Sequence, residues 1–257
     1  MRLDIALTKL PEINSRSQAN SLIRMGKVTV DGRTATKPGQ TVDETSNIDV
    51  DIKEKYVSRA GNKLASVATI LKLDFNDKTV LDVGSSTGGF TDFALQHGAK
   101  KVIAIDVGTE QLHPSLRADQ RIELHEKTDI RNVFLRKTVS ENRKQKTEDN
   151  KNRIYLKKSP DIVVIDVSFI SLREILPSIA NLLSAKSQIV AMLKPQFEAG
   201  DNKKHKGVIK NSAMRRAILK DFEQWAKQRF VIQAKQDSDV LGRKGNQERF
   251  YLLKAAK

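Results

Sequence analysis

Leu81-Asp82-Val83-Gly84-Ser85-Ser86-Thr87-Gly88-Gly89-Phe90 is the stretch that decides the fold. Residues 79–83 predict a buried strand that ends at Gly84. A tight turn from strand to helix needs glycine for unusual backbone angles and close ligand approach, and Gly84, Gly88 and Gly89 supply it. The spacing is Gly-x-x-x-Gly-Gly and not Gly-x-Gly-x-x-Gly, which argues against an ordinary dinucleotide fingerprint. No Gly-Lys-Ser/Thr is present in it, so it is not a phosphate-cradling nucleoside-triphosphatase loop. Outward from this loop a β–α rhythm continues. Strands are expected at 101–106, 121–124, 161–166, 187–193 and 249–253, and helices at 58–71, 172–183 and 214–229. Apolar strands alternating with helices predict an α/β domain with a mostly parallel, Rossmann-like doubly wound sheet covered on both faces.

Two acids follow the loop. Asp106 ends the next strand, where a carboxylate can accept both hydroxyls of an adenosyl ribose. Asp129, after the third strand, is placed to accept from an adenine amino group. With Gly84, Ser85, Ser86, Thr87, Gly88, Gly89 and Phe90 they make an acidic pocket without a phosphate cradle. Such a pocket suits S-adenosylmethionine, which has no phosphate and carries a positive sulfonium. Asp82 is read either as a ligand contact or as a residue that orients the loop.

The chain has 257 residues and a net charge of +15, from 46 Lys+Arg against 31 Asp+Glu. That excess fits a polyanionic partner, most simply nucleic acid. Residues 1–53 hold eight Lys/Arg and seven Asp/Glu, leaving 38 and 24 in the remainder, so most of the positive field belongs to the second part. Cysteine is absent, which removes disulfides and thiolate metal sites. His97, His113, His125 and His205 have no metal-ligand spacing, so no metal is expected. The start lacks a signal-peptide core and no run approaches the roughly 18 apolar residues of a spanning helix. A soluble, cytoplasmic protein without a membrane partner is the expectation.

Residues 1–53 read as a small α+β module. Leu3, Leu7 and Leu10 share a face of a helix over 1–10. Ser15 or Ser17 can cap a second helix through Ala19, Leu22 and Ile23, stopped at Gly26. Val28-Thr29-Val30 alternates like a strand, Asp31-Gly32 is a hairpin signal, and 48–52 is a last strand. Residues 54–60 are expected as a linker and 61–257 as the larger domain. Within the latter, 136–158 is nearly all polar and is expected as a mobile loop or exposed charged helix.

The module resembles the RNA-binding domain first seen in small-subunit ribosomal protein four. The matching residues are Arg2-Leu3-Asp4, Ser15-Arg16-Ser17-Gln18-Ala19, Gly26-Lys27-Val28, Val30-Asp31-Gly32 and Lys37-Pro38-Gly39. By that resemblance Arg2, Arg16, Arg24 and Lys27 face structured RNA. The rest adds Ser58-Arg59-Ala60-Gly61-Asn62-Lys63, Ile165-Asp166-Val167-Ser168-Phe169, Lys194-Pro195-Gln196-Phe197-Glu198 and Gly245-Asn246-Gln247-Glu248. In this order the motifs resemble the TlyA family, which is similar to FtsJ-type ribosomal RNA methyltransferases and is often labelled haemolysin. The chain departs from the family pattern in the 136–158 insertion and in a charged loop at 201–207.

The resemblance implies an S-adenosylmethionine-dependent enzyme that methylates cytidine ribose 2′-hydroxyls of ribosomal RNA, acting on that RNA or on ribosomal subunits. It implies a catalytic quartet of Lys63, Asp166, Lys194 and Glu248. A ribose hydroxyl is a poor nucleophile until its proton is removed, and a neutral lysine serves as the base. Lys194 is assigned that role, with Asp166 positioning it and Lys63 and Glu248 orienting the ribose. Two other classes compete. A non-catalytic RNA-binding assembly factor would not need the quartet and cofactor loop. A lytic protein would need a long apolar or strongly amphipathic segment, and the sequence has none.

Overall fold

The structure is a computed structural model and describes residues 1–11, 13, 15–51, 55–136, 153–200 and 207–256. Most of the polar insertion and of the 201–207 loop, and part of the linker, lie outside the described residues.

The N-terminal module is built from α1 (Leu3–Leu7), α2 (Arg16–Arg24), β1 (Val28–Val30), β2 (Arg33–Thr34) and β3 (Ile48–Val50). Leu3, Leu7, Ile13, Ala19, Leu22, Ile23, Val28 and Val30 form its core. The first helix stops at Leu7, earlier than the apolar spacing suggests. Of the two candidate caps, Ser15 is used: its hydroxyl accepts the Gln18 amide at 3.2 Å. Asp31 and Gly32 both take positive φ, +50° and +74°, the backbone a two-residue hairpin turn requires. β1 is central, with β2 and β3 antiparallel on its two sides.

The second body holds α3 (Arg59–Ala68), β4 (Thr79–Val83), α4 (Gly89–Gln96), β5 (Lys101–Ile105), α5 (Pro114–Arg117), β6 (Ile122–His125), a 3-10 turn (Ile130–Asn132), β7 (Val133–Leu135), β8 (Ile154–Leu156), β9 (Ile162–Ile165), α6 (Leu172–Ala180), β10 (Gln188–Leu193), α7 (Pro195–Glu198), α8 (Ser212–Ala226), β11 (Phe230–Asp237) and β12 (Arg249–Ala255). Seven strands form one sheet in the order β11-β12-β10-β9-β4-β5-β6. β6, β5, β4, β9 and β10 run parallel, and β12 reverses direction between β10 and β11.

Both faces of the sheet are covered, which is why its strands read as continuous apolar runs. Leu81, Val83, Val163, Ile165, Ala191 and Leu193 face a core closed by α6 and α8. Val80, Val102, Val164, Met192 and Phe250 face the opposite core, closed by α3, α4 and α5. Strand order reverses between β4 and β9, so the crevice above the C-terminal ends of these two strands is the place where such sheets bind ligands.

Three features depart from the expectation. β11 was not foreseen; its alternating burial is that of an edge strand with one wet face. β7 and β8 form a separate small parallel pair flanking the insertion. The expected linker residues Tyr56, Val57 and Ala60 pack into the core of the larger body, where Tyr56 lies 5.3 Å from the Phe93 ring. The boundary therefore falls before Tyr56, and Asp92 fixes it by accepting the Val57 amide at 2.8 Å.

Candidate active site

The turn after β4 is held by contacts that its composition explains. Gly84 has φ +81°, and a Cβ there would stand 2.8 Å from the Asp166 carbonyl oxygen. It thus brings the ends of β4 and β9 together across the switch point. Gly88 and Gly89, expected to make room for a ligand, instead make room for the protein. A Cβ on Gly88 would meet Leu112 and Leu116, and one on Gly89 would meet Ser58 and Ala60. Phe90 likewise is buried, packed against Phe250 with ring centroids 6.0 Å apart.

Asp106 closes the turn from the neighbouring strand. One carboxylate oxygen accepts the Ser86 amide and the other the Gly108 amide, each at 2.7 Å. Ser86 takes a positive φ of +47° to make that contact. Below lies a cavity of about 380 Å³ bounded by Gly84, Ser86, Asp106, Gln111, Asp129 and Asp166. That is the size of an ordinary small-molecule site. Gln111 and Val107 went unrecognised in the sequence. Ser86 donates its hydroxyl to Gln111 at 3.0 Å, and Val107 is exposed directly after Asp106; their positions beside Asp106 were the available signal.

Asp129 lines the same cavity, but its carboxylate is engaged. Arg131 donates to it from Nε at 3.0 Å and from a terminal nitrogen at 2.6 Å, and the Arg131 amide donates at 2.9 Å. That guanidinium holds the Asp129 carboxyl below the usual carboxylate range.

Asp82 points into the protein. It is wholly buried and accepts the Thr91 hydroxyl at 2.7 Å. Burial raises its pKa to about 7. With Ser85, which is also buried, and Asp166 it borders a small polar cavity of about 80 Å³ under the turn.

The four charged residues gather as two ion pairs. Lys194 Nζ lies 2.6 Å from Asp166 and donates to the Ser168 hydroxyl at 2.9 Å. Lys63 Nζ lies 2.7 Å from Glu248. All four side chains are mostly shielded from water. Strand register explains the gathering. Leu193 pairs with Arg249, so Lys194 and Glu248 stand at adjacent ends of β10 and β12. Ala191 pairs with Ile165, which sets Asp166 at the same edge. α3 delivers Lys63 to Glu248 from above.

Two further residues shape this edge. Phe169 has a positive φ of +66° and its side chain is 90% exposed, an uncommon and strained placement for an aromatic residue. Its ring stands 5.2 Å from that of Phe197. Glu198 is buried at the end of α7 and accepts the Ser171 hydroxyl and the Leu172 amide, both at 2.7 Å. Burial pushes the Glu198 carboxyl up.

In the module, Arg2 and Arg16 both bind the buried Asp4, at 3.0 and 2.8 Å. Arg16, at the start of α2, thereby ties α2 to α1, while the Arg2–Asp4 pair lies within the first turn of α1. The two guanidiniums lie across the Asp4 carboxylate and lower its pKa to about 2. Lys27 stands 3.5 Å from Asp51, and with Arg24, Lys55 and Asp239 it lines a cleft of about 320 Å³. Among the described residues there is no cluster suited to a metal ion and no helix long and apolar enough to cross a membrane.

Comparison with known proteins places the chain in a family. The FtsJ-like methyltransferase family matches residues 56–255, and the S4 domain matches residues 1–48. The chain is 39% identical to the 23S rRNA (cytidine-2′-O)-methyltransferase TlyA of Campylobacter jejuni over 80% of its length and 74% of the relative's. It is 36% identical to the 16S/23S rRNA (cytidine-2′-O)-methyltransferase TlyA of Mycobacterium tuberculosis, over 84% and 75% of the two chains. A solved structure from Streptococcus thermophilus, described as a candidate hemolysin, covers all of this chain and 89% of its own, with 33% identity and a TM-score of 0.68. The chain belongs to the FtsJ-like methyltransferase family, among the TlyA-type proteins that carry an S4 domain ahead of the methyltransferase body.

Proposed function

We propose that this protein transfers a methyl group from S-adenosylmethionine to the 2′-hydroxyl of cytidine riboses in ribosomal RNA. The observation that carries the reading is the meeting of the Lys194–Asp166 and Lys63–Glu248 pairs at one sheet edge, beside an acidic cavity without a phosphate cradle. That cavity fits the cofactor: Asp106 offers carboxylate lone pairs at the end of β5, and the turn offers no cationic side chain for a phosphate. Bound S-adenosylmethionine supplies an electrophilic methyl group on a positive sulfonium.

The chain's own residues prepare the nucleophile. Lys194 takes the ribose proton as general base, held in place by Asp166 and the Ser168 hydroxyl. Lys63 and Glu248 orient the ribose from the β12 side. The Phe169 ring, pushed into solvent by its left-handed backbone, offers a face on which the target base can stack once it leaves its own helix. The names of the TlyA relatives support cytidine in ribosomal RNA as the substrate.

The test is incubation of unmodified ribosomal RNA and ribosomal subunits with the protein and methyl-labelled S-adenosylmethionine, followed by digestion to nucleosides. The reading requires label in 2′-O-methylcytidine. Label only in base-methylated nucleosides, or none with either substrate, would refute it.

A further inference from the structure

The β7–β8 pair presents two faces of different character. Val133 and Leu156 enter the core, while Phe134 and Tyr155, opposite one another in register, are 38% and 46% exposed. Their ring centroids lie 5.9 Å apart. The Arg153 guanidinium sits 5.4 Å from the centroid of Phe134. One exposed apolar side chain is ordinary. A register-matched aromatic pair on the outward face of a sheet is not, and its surroundings are one-signed. Residues 131–136 and 153–160 contain Arg131, Arg136, Arg153, Lys157 and Lys158 and no Asp or Glu. Arg131 is spent on Asp129, but Arg136, Arg153, Lys157 and Lys158 are exposed.

We propose that this outward face is a second RNA contact, a stacking site for unpaired nucleotides, with Arg136, Arg153, Lys157 and Lys158 meeting the flanking phosphates. The inference rests on the reading of RNA as the substrate. Two aromatic rings within a positive field match the two chemical parts of a single strand, bases with π-faces and an anionic backbone. A duplex can use only the charge, because its bases are already stacked. Residues 137–152, which join the two strands, contain Val139 as their single aliphatic or aromatic side chain, so they offer no ring or large apolar group for this face. The 3-10 turn before β7 is capped by Asp129, on the rim of the large cavity, so RNA held here is held close to the cofactor site.

The test uses the full chain, a fluorescein-labelled single-stranded RNA of about twelve nucleotides, and the same sequence as a blunt duplex, read by fluorescence anisotropy. Phe134→Ala with Tyr155→Ala should weaken single-strand binding about tenfold and leave duplex binding within about twofold. The melting temperature should hold, because both rings are exposed. Arg136→Gln with Lys157→Gln and Lys158→Gln should weaken both and lower the log–log salt slope for the single strand by about two. Unchanged single-strand binding in the aromatic variant, an equal loss for single strand and duplex, or no single-strand binding by the wild-type chain each overturns the assignment. Methyl transfer to ribosomal RNA is scored separately. Its absence in the wild type would refute the proposed reaction, whereas the stacking site is judged on the binding ratios alone.

Discussion

Asp106 combines a structural role with a proposed one. It was expected to accept hydroxyls of the cofactor, and it also fixes the backbone on both sides, at Ser86 and Gly108. Asp106→Ala should therefore weaken S-adenosylmethionine binding by at least the 1–3 kcal/mol typical of charged hydrogen bonds, as read by calorimetry. Unchanged affinity would remove Asp106 from the site.

Asp82 makes a prediction of opposite sense. Its folded-state pKa, about 7, lies above its ordinary value of 3.8, so the native chain keeps a proton that the unfolded chain has lost. Its contribution to stability therefore falls as pH rises from about 4 to about 7. Asp82→Asn keeps an acceptor for Thr91 and removes that loss. Denaturant midpoints of the variant should vary less with pH over this window, and near neutrality it should be as stable as wild type or more stable, by a few kcal/mol at most. An equally steep pH dependence in the variant would show that Asp82 does not titrate there.

At this scale the sequence was legible where chemistry is local. Asp106 and Asp166 stand at strand ends that the apolar runs announce. The jobs of Gly88 and Gly89 were not legible, because Leu112, Leu116, Ser58 and Ala60 reach them only in three dimensions. Nor was the engagement of Arg16 with Asp4, twelve residues away along the chain.

Among the elements, the joint between α6 and α7 matters most for the site. The segment after Asp166 leads to α6, and α7 begins directly after Lys194. Glu198 joins the two by accepting from Ser171 and Leu172. Glu198→Ala leaves the buried Leu172 amide without an acceptor and should cost about 1–3 kcal/mol of stability. It should also lower kcat with little change in cofactor affinity, because the two loops that carry the Lys194–Asp166 pair lose their tie. Glu198→Gln keeps an acceptor for the amide and should restore most of both. If Ala and Gln variants are equally impaired, negative charge and not the tie is what Glu198 supplies.

Strand and helix periodicity made most elements readable, including β4, β5, β9, β10 and β12. β11 was missed because its alternating polar residues follow the α8 pattern without a turn signal, and only pairing with β12 defines it. Ser58 stands at the N-cap of α3, but its hydroxyl makes no capping bond.

As a whole the molecule consists of two bodies. The module has its own core, and the larger body begins with Tyr56 already inside it. A chain starting at residue 55 should fold and bind S-adenosylmethionine with unchanged affinity, yet methylate ribosomal RNA poorly. Activity equal to the full chain would mean that the larger body, with 38 of the 46 basic residues outside residues 1–53, recognises RNA alone. The order of motifs along the chain foretold an S4 module ahead of an FtsJ-like body. The Tyr56–Phe93 contact, which joins distant residues, fixes where that body begins.

The central claim is that the Lys194–Asp166 pair performs the proton transfer while the cavity beside it holds the methyl donor. Single-turnover methyl transfer by Lys194→Ala, with cofactor affinity measured by calorimetry on the same preparation, tests it most directly. The account predicts normal S-adenosylmethionine binding and a transfer rate lower by about 10²–10⁴-fold. Near-normal turnover in that variant would contradict it.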